Sequence, residues 1–152
     1  MIEEPFFKSL PTSEDFYYDG ELDEKWTREH YLGKDIDFAK KRYVKYASLS
    51  VLQDLSFVGT KAFRYYIFGA FRYLQDEDSK DDSDVFCSVA EMLYEKFEAD
   101  PKDMQYISDY VVIFSNWAIQ NYSKFDLDDY ENIYGDVKEK YKYLIKRIEE
   151  LY

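Results

Sequence analysis

Proline and glycine are scarce in this chain of 152 residues: it has three prolines and five glycines, and no proline between Pro11 and Pro101. A turn-rich β fold needs both residue types at its corners, so the shortage favours helices. Cysteine and histidine occur once each, as Cys87 and His30. A lone cysteine cannot close an internal disulfide, which fits a reducing compartment, and a cytoplasmic location is expected. The same scarcity rules out a zinc cluster and the paired Glu-x-x-His of a di-iron bundle. The N-terminal MIEEPFFKSLP lacks a basic segment and a long apolar core, so it does not read as a signal peptide. Phosphate-cradling G-x-x-x-x-G-K-[ST] and G-x-G-x-x-G loops are missing as well. Cys87 with His30 is the one Cys–His pairing available, and Cys87 falls on an apolar helical face where a buried structural thiol is expected. No catalytic residue, metal or cofactor is assigned.

Long apolar runs are also lacking. The most apolar stretch, LSFVGTKAFRYYIFGAFRYL from Leu55 to Leu74, is interrupted by Lys61, Arg64 and Arg72. Its longest uninterrupted apolar run falls far short of the roughly 18 to 20 residues that span a bilayer. Lys61, Arg64, Arg72 and Gln75 instead share one narrow stripe, with Phe68 completing it, on a helix that is apolar on its other sides. Such a helix is surrounded by neighbours. The segment at 60–75 therefore reads as a central strut whose basic stripe faces an acidic element of the same protein. Gly69 in its middle costs about 1 kcal/mol relative to Ala, which implies close contact with a neighbouring helix.

What the chain has in abundance is aromatic residues and acid. Aromatics make up 20% and apolar residues 46%, enough for a substantial core. One all-α domain over 1–152, of about five to seven helices, is expected. Val137, Tyr141, Leu144, Ile145, Ile148, Leu151 and Tyr152 form an amphipathic stripe after a break at Gly135 and Asp136. Pro101 behind Asp100 marks the start of a helix whose apolar face holds Met104, Ile107, Val111, Phe114 and Ala118. Phe86, Val89, Ala90, Leu93 and Phe97 make a third such face. Leu22 and Trp26 indicate a short helix ended by Gly33, and the helical pattern of 36–55 breaks near SLS.

The net charge is −12 and it is blocked along the chain. Residues 1–37 carry eleven acids against four bases, whereas 38–75 carry seven bases against Asp54 alone. Residues 76–109 hold twelve acids and three bases, and 110–125 hold only Lys124. Nucleic acid is a poor partner for such a chain, because binding its backbone needs a cationic surface. A basic protein surface is the natural target.

Two acidic loops are the candidate contacts. The first contains Asp76, Glu77, Asp78, Asp81, Asp82 and Asp84, and the second contains Asp126, Asp128, Asp129 and Glu131. Asp76, Asp78 and Asp82 fall at positions 1, 3 and 7 of a calcium-type loop, but Asp81 and Cys87 occupy the places of its turn glycine and bidentate glutamate. A calcium site is therefore not assigned, and solvated acidic surface is the competing reading of both loops. Tyrosines beside acidic runs, namely Tyr17, Tyr18, Tyr130 and Tyr134, are the candidate anchors, since tyrosine offers large contact area at low entropy cost.

Residues 62–66, Ala-Phe-Arg-Tyr-Tyr, resemble the core of a family of small all-α bacterial domains marked by a motif like sPEAFRYYLPAYL. The upstream YLGKDIDF is similar to that family's lead-in. Gly59 and Thr60 stand where the motif has serine and proline, and Phe68 replaces its internal proline, so the proline kink is not carried over. Members of such families often occur in toxin–immunity neighbourhoods, and the resemblance implies a role of that kind. It brings no catalytic residues. The leading expectation is thus an immunity protein or antitoxin that occludes a basic toxin domain, with a nuclease as the favoured target. An acidic adaptor that self-associates, as a homodimer through aromatic faces, is the alternative. A metal-dependent enzyme using clustered carboxylates ranks third.

Overall fold

The computed structural model describes residues 9–17, 19–125, 127 and 136–152. Among these residues the structure is all-helical, with seven helices longer than one turn and no strand. The chain divides at Gln75/Asp76 into two compact units.

The first unit contains α1 (Leu22–Tyr31), α2 (Ile36–Lys45), α3 (Ser48–Asp54) and α4 (Thr60–Gln75), with 3-10 turns at Ser13–Asp15 and Leu55–Phe57. Helix α4 runs without interruption through Phe68, as the missing proline predicts, and eleven of its residues are buried. It packs most closely on α2. Gly69 makes that approach possible: a Cβ there would lie 2.7 Å from Ala39 Cβ and 3.2 Å from the Lys40 nitrogen. The basic stripe behaves as expected at Arg72, which pairs with Asp37 of α2 at 3.2 Å. Phe68, by contrast, is buried.

Asp35 opens α2 by accepting from the Phe38 amide at 2.9 Å, and Gly33 supplies the left-handed turn between α1 and α2 with φ +80°. Tyr66 ties that turn to α4, its hydroxyl lying 2.6 Å from the Tyr31 carbonyl and 2.9 Å from that of Lys34. Leu22 and Trp26, whose spacing marks α1, lie on its outer side; Glu24, Thr27 and Tyr31 are its buried residues. The polar groups on the buried side are hydrogen-bonded. The Asp19 amide donates to Glu24 at 3.2 Å, and the Thr27 hydroxyl donates to the Glu24 carbonyl at 3.0 Å.

The second unit contains α5 (Ser83–Ala99), the single turn α6 (Pro101–Met104), α7 (Ser108–Asn121) and α8 (Val137–Leu151). Helix α8 packs on both α5 and α7. The apolar face read from periodicity is the buried face on α5, with Phe86, Val89, Ala90, Leu93 and Phe97. On α8 its centre is buried at Val137, Tyr141, Leu144 and Ile148, whereas Ile145 and Leu151 are half-buried and Tyr152 is exposed. Cys87 of α5 is buried. Phe86 lies at the centre, stacked on Phe125 with centroids 4.1 Å apart and 5.0 Å from the Tyr141 ring. The Tyr141 hydroxyl donates to the Phe86 carbonyl.

The helix expected to run on from Pro101 differs in one respect. It is split into α6, a 3-10 turn at Gln105–Ile107, and α7. The backbone leaves the helical region at Ile107 (φ −116°, ψ 8°), and the Ser108 hydroxyl donates to the Gln105 carbonyl at 2.8 Å, an alternative to the regular ladder. Met104, Ile107, Val111, Phe114 and Ala118 are nonetheless all buried, because the tighter turn keeps them on one side.

Candidate protein-binding surface

The acidic loop that leads into α5 is a braced turn. The Asp76 carboxylate accepts from the Asp78 amide at 3.3 Å and so opens a 3-10 turn over Glu77–Ser79. Ser79 is buried, and its hydroxyl donates to the Asp76 carbonyl at 2.8 Å. Lys124 reaches in from the end of the 3-10 turn Tyr122–Phe125. Its ammonium donates to the Asp76 carbonyl at 2.6 Å and to the Ser79 hydroxyl at 3.0 Å. The Asp81 amide donates back to the Lys124 carbonyl at 3.1 Å. Burial pushes the Lys124 pKa down, against the opposing pull of Asp76 and Glu77.

Two of the carboxylates in the calcium-like spacing, those of Asp76 and Asp82, accept from backbone amides. The Lys124 ammonium donates instead to a backbone carbonyl and a hydroxyl of the loop. Asp81, in the place of the turn glycine, adopts φ +64°, a left-handed conformation that aspartate tolerates better than most residues. Among the described residues, no three His, Cys, Asp or Glu side chains come together as a set of metal ligands.

The bracing sorts the six candidate carboxylates into two groups. Asp76 and Asp82 are half-buried and act as caps, Asp82 accepting from the Val85 amide at 3.3 Å to open α5. Glu77, Asp78, Asp81 and Asp84 are exposed. Asp84 also begins a stripe along α5. With 100° per residue, Asp84, Glu91, Glu95 and Glu98 fall within a sector of about 60°. Two members are neutralised by α8: Lys140 pairs with Glu91, and Arg147 donates to both oxygens of Glu98. The guanidinium hydrogen bond holds the Glu98 carboxyl below its ordinary pKa. Asp84 and Glu95 make no ion pair among the described residues.

The second acidic loop, with Asp126, Asp128, Asp129 and Glu131, lies outside the described residues, as do Tyr18, Tyr130 and Tyr134. Tyr17 belongs to the first unit and is 58% exposed. Its amide donates to the Val58 carbonyl at 3.0 Å, and Gly59 (φ +83°) admits its backbone so closely that a Cβ there would meet Tyr17 N at 2.7 Å. The Asp19 carboxylate beside it pushes the phenol pKa up. Tyr17 is thus an exposed aromatic on a fixed backbone.

Spacing alone missed a second aromatic surface in the first unit. The Arg42 guanidinium lies within 6 Å of four rings, at 5.5 Å from Trp26, 5.2 Å from Tyr31, 5.9 Å from Phe38 and 4.9 Å from Tyr46, and pairs with Asp54 at 3.7 Å. Trp26 is 40% exposed and stacks on His30 at 3.9 Å, whose Nδ1 donates to the Trp26 carbonyl. His30 is therefore an exposed packing residue. Burial raises the Asp54 carboxyl pKa despite Arg42, and raises the Tyr31 phenol to about 12. Among the described residues no helix is long and apolar enough to cross a membrane.

Comparisons of the chain with protein-family models, curated proteins and solved structures find no match.

Proposed function

We propose that this chain is an inhibitory binding protein, acting as an immunity protein or antitoxin that occludes a basic protein domain, with a nuclease as the favoured target. One observation carries the reading: Glu77, Asp78 and Asp81 are exposed on a turn pinned by Lys124 and the cap of Asp76, and Asp84 is exposed in the first turn of α5, which Asp82 caps. Carboxylates on a fixed backbone lose little conformational entropy on binding. They would pair with the Lys and Arg residues that a nuclease uses to hold phosphate. A field of one sign also speeds encounter with an oppositely charged partner, which suits an inhibitor that must act before damage is done. The reading includes no catalytic step and no cofactor, and it places the protein in the cytoplasm, where the free thiol of Cys87 stays reduced.

Self-association is the competing reading. The outer side of α1 favours it, since Leu22 is 82% exposed and Trp26 and Tyr46 flank the Arg42 guanidinium. Co-purification of the tagged protein with the basic proteins encoded beside it separates the two. The inhibitor reading expects one such domain in stoichiometric amount at low salt and its release as salt is raised. Elution of the protein alone, as a discrete homo-oligomer, would overturn that reading in favour of self-association.

A further inference from the structure

Between α5 and α8 of the second unit lies a groove of about 330 Å³, lined among the described residues by Ala90, Glu91, Tyr94, Glu95, Lys140 and Tyr143. It is at the small end of the range for ligand sites, a size suited to one long side chain rather than a whole cofactor. Ala90 is buried and, having no side chain beyond Cβ, leaves the space open. The Tyr94 and Tyr143 rings form an aromatic wall, with centroids 5.4 Å apart and planes inclined by 42°. Tyr143 is 53% exposed. Glu91 is engaged by Lys140, whereas Glu95 is exposed and makes no hydrogen bond or ion pair among the described residues.

We propose that this groove receives a lysine or arginine side chain of a basic protein partner, its alkyl stem lying along Ala90 and the tyrosine faces and its charged head meeting Glu95. Three features select that occupant. Tyrosine faces attract cations through the ring quadrupole. An unpaired carboxylate at the rim complements an ammonium or guanidinium, while two glutamates against one lysine disfavour an anion. A neutral apolar ligand would have to strip water from Glu95 without offering a hydrogen bond in return. The position fits as well: Glu91 and Glu95 continue the stripe that begins at Asp84, so the groove prolongs the acidic turn along the same helix face. The inference rests on the proposed binding of a basic partner and adds a specific pocket to it.

The test is an NMR titration of the full chain with a hexalysine peptide, with a hexaserine peptide as control. Tyrosine ring signals are assigned with Tyr94→Phe and Tyr143→Phe variants. Saturable shifts are expected at the Tyr94 and Tyr143 rings and at the amides of 77–84. Glu95→Lys, a change at an exposed position, should abolish the ring shifts, keep the amide shifts and weaken the apparent affinity about tenfold, the scale of a lost charge-assisted contact. Shifts confined to the 77–84 amides, or ring shifts that survive Glu95→Lys, would overturn the groove and leave the acidic-turn reading standing. No shift at either place would overturn both.

Discussion

The two units use a cation drawn in from solvent to different ends: Arg42 is buried and Lys124 half-buried. In the first, Arg42 is drawn beneath Trp26, Tyr31, Phe38 and Tyr46 and closes on Asp54, so a base from the chain's most basic stretch is spent on packing. In the second, Lys124 enters an acidic turn, donates to the Asp76 carbonyl and the Ser79 hydroxyl, and leaves Glu77, Asp78, Asp81 and Asp84 facing water. Local net charge alone does not separate structure from recognition. The deciding feature is what each charged group touches: a cation among rings and a carboxylate at a helix cap are occupied, whereas a carboxylate on a pinned backbone is available.

That contrast can be broken most forcefully at Arg42. Arg42→Ala leaves Asp54 without its ion-pair partner and four rings without their cation, and should destabilise the fold by about 2–4 kcal/mol. Arg42→Lys keeps the charge without the planar guanidinium, and should fall between the two in urea unfolding. Lys124→Met comes next. It removes the donor to Asp76 and Ser79, and the cost of unmet acceptors is about 1–3 kcal/mol. Hydrogen exchange at the amides of 77–82 should speed up more than at α7, and an equal acceleration at both would mean that Lys124 does not brace the turn.

A finer test concerns pH. The Tyr31 phenol is raised from 10.0 to about 12, chiefly by burial. A group whose folded pKa exceeds its unfolded value contributes stability that is complete below the unfolded pKa and is lost as pH rises toward the folded one. Stability should therefore fall between about pH 10 and 12. Burial also raises the Tyr43 and Tyr66 phenols, so Tyr31→Phe should make that alkaline decline shallower without abolishing it. An unchanged slope in chemical denaturation across this window would contradict the assignment.

Much of the fold was legible because it depends on spacing. Periodicity alone identified the buried faces of α5, α7 and α8, and Gly69 signalled the close contact that Ala39 provides. The boundary between the units at Gln75/Asp76 carries no proline, glycine or linker-like composition, although the local charge reverses there from basic to acidic. The break at Gln105–Ile107 was silent, because the apolar spacing continues through it.

At the candidate site the sequence located the acids but could not sort them. Lys124 stood out as the single charge of 110–125, yet its partners lie 45 and 48 residues away along the chain. A cap signal was present at Asp82, an aspartate just ahead of the apolar run that begins at Val85, and could have marked it as structural. The Arg42 cluster joins side chains from α1, α2 and α3, and no local pattern records that convergence.

The central claim is that the exposed carboxylates of 77–84 are held for a basic partner and not for the fold. The most direct measurement is calorimetric titration of the co-purified basic domain into the wild-type protein and into a Glu77→Lys, Asp78→Lys, Asp84→Lys variant. Thermal unfolding of both proteins should be followed in parallel. Substitutions at exposed positions usually alter stability by less than about 0.5 kcal/mol, and Asp84→Lys adds about 0.3–1 kcal/mol for a cation in the first turn of α5, so the unfolding temperature should fall only slightly. Loss of three opposite-charge contacts should weaken affinity by at least about a hundredfold. Equal affinity in the two proteins would contradict the account, because the turn would then be solvated surface and the partner would bind elsewhere.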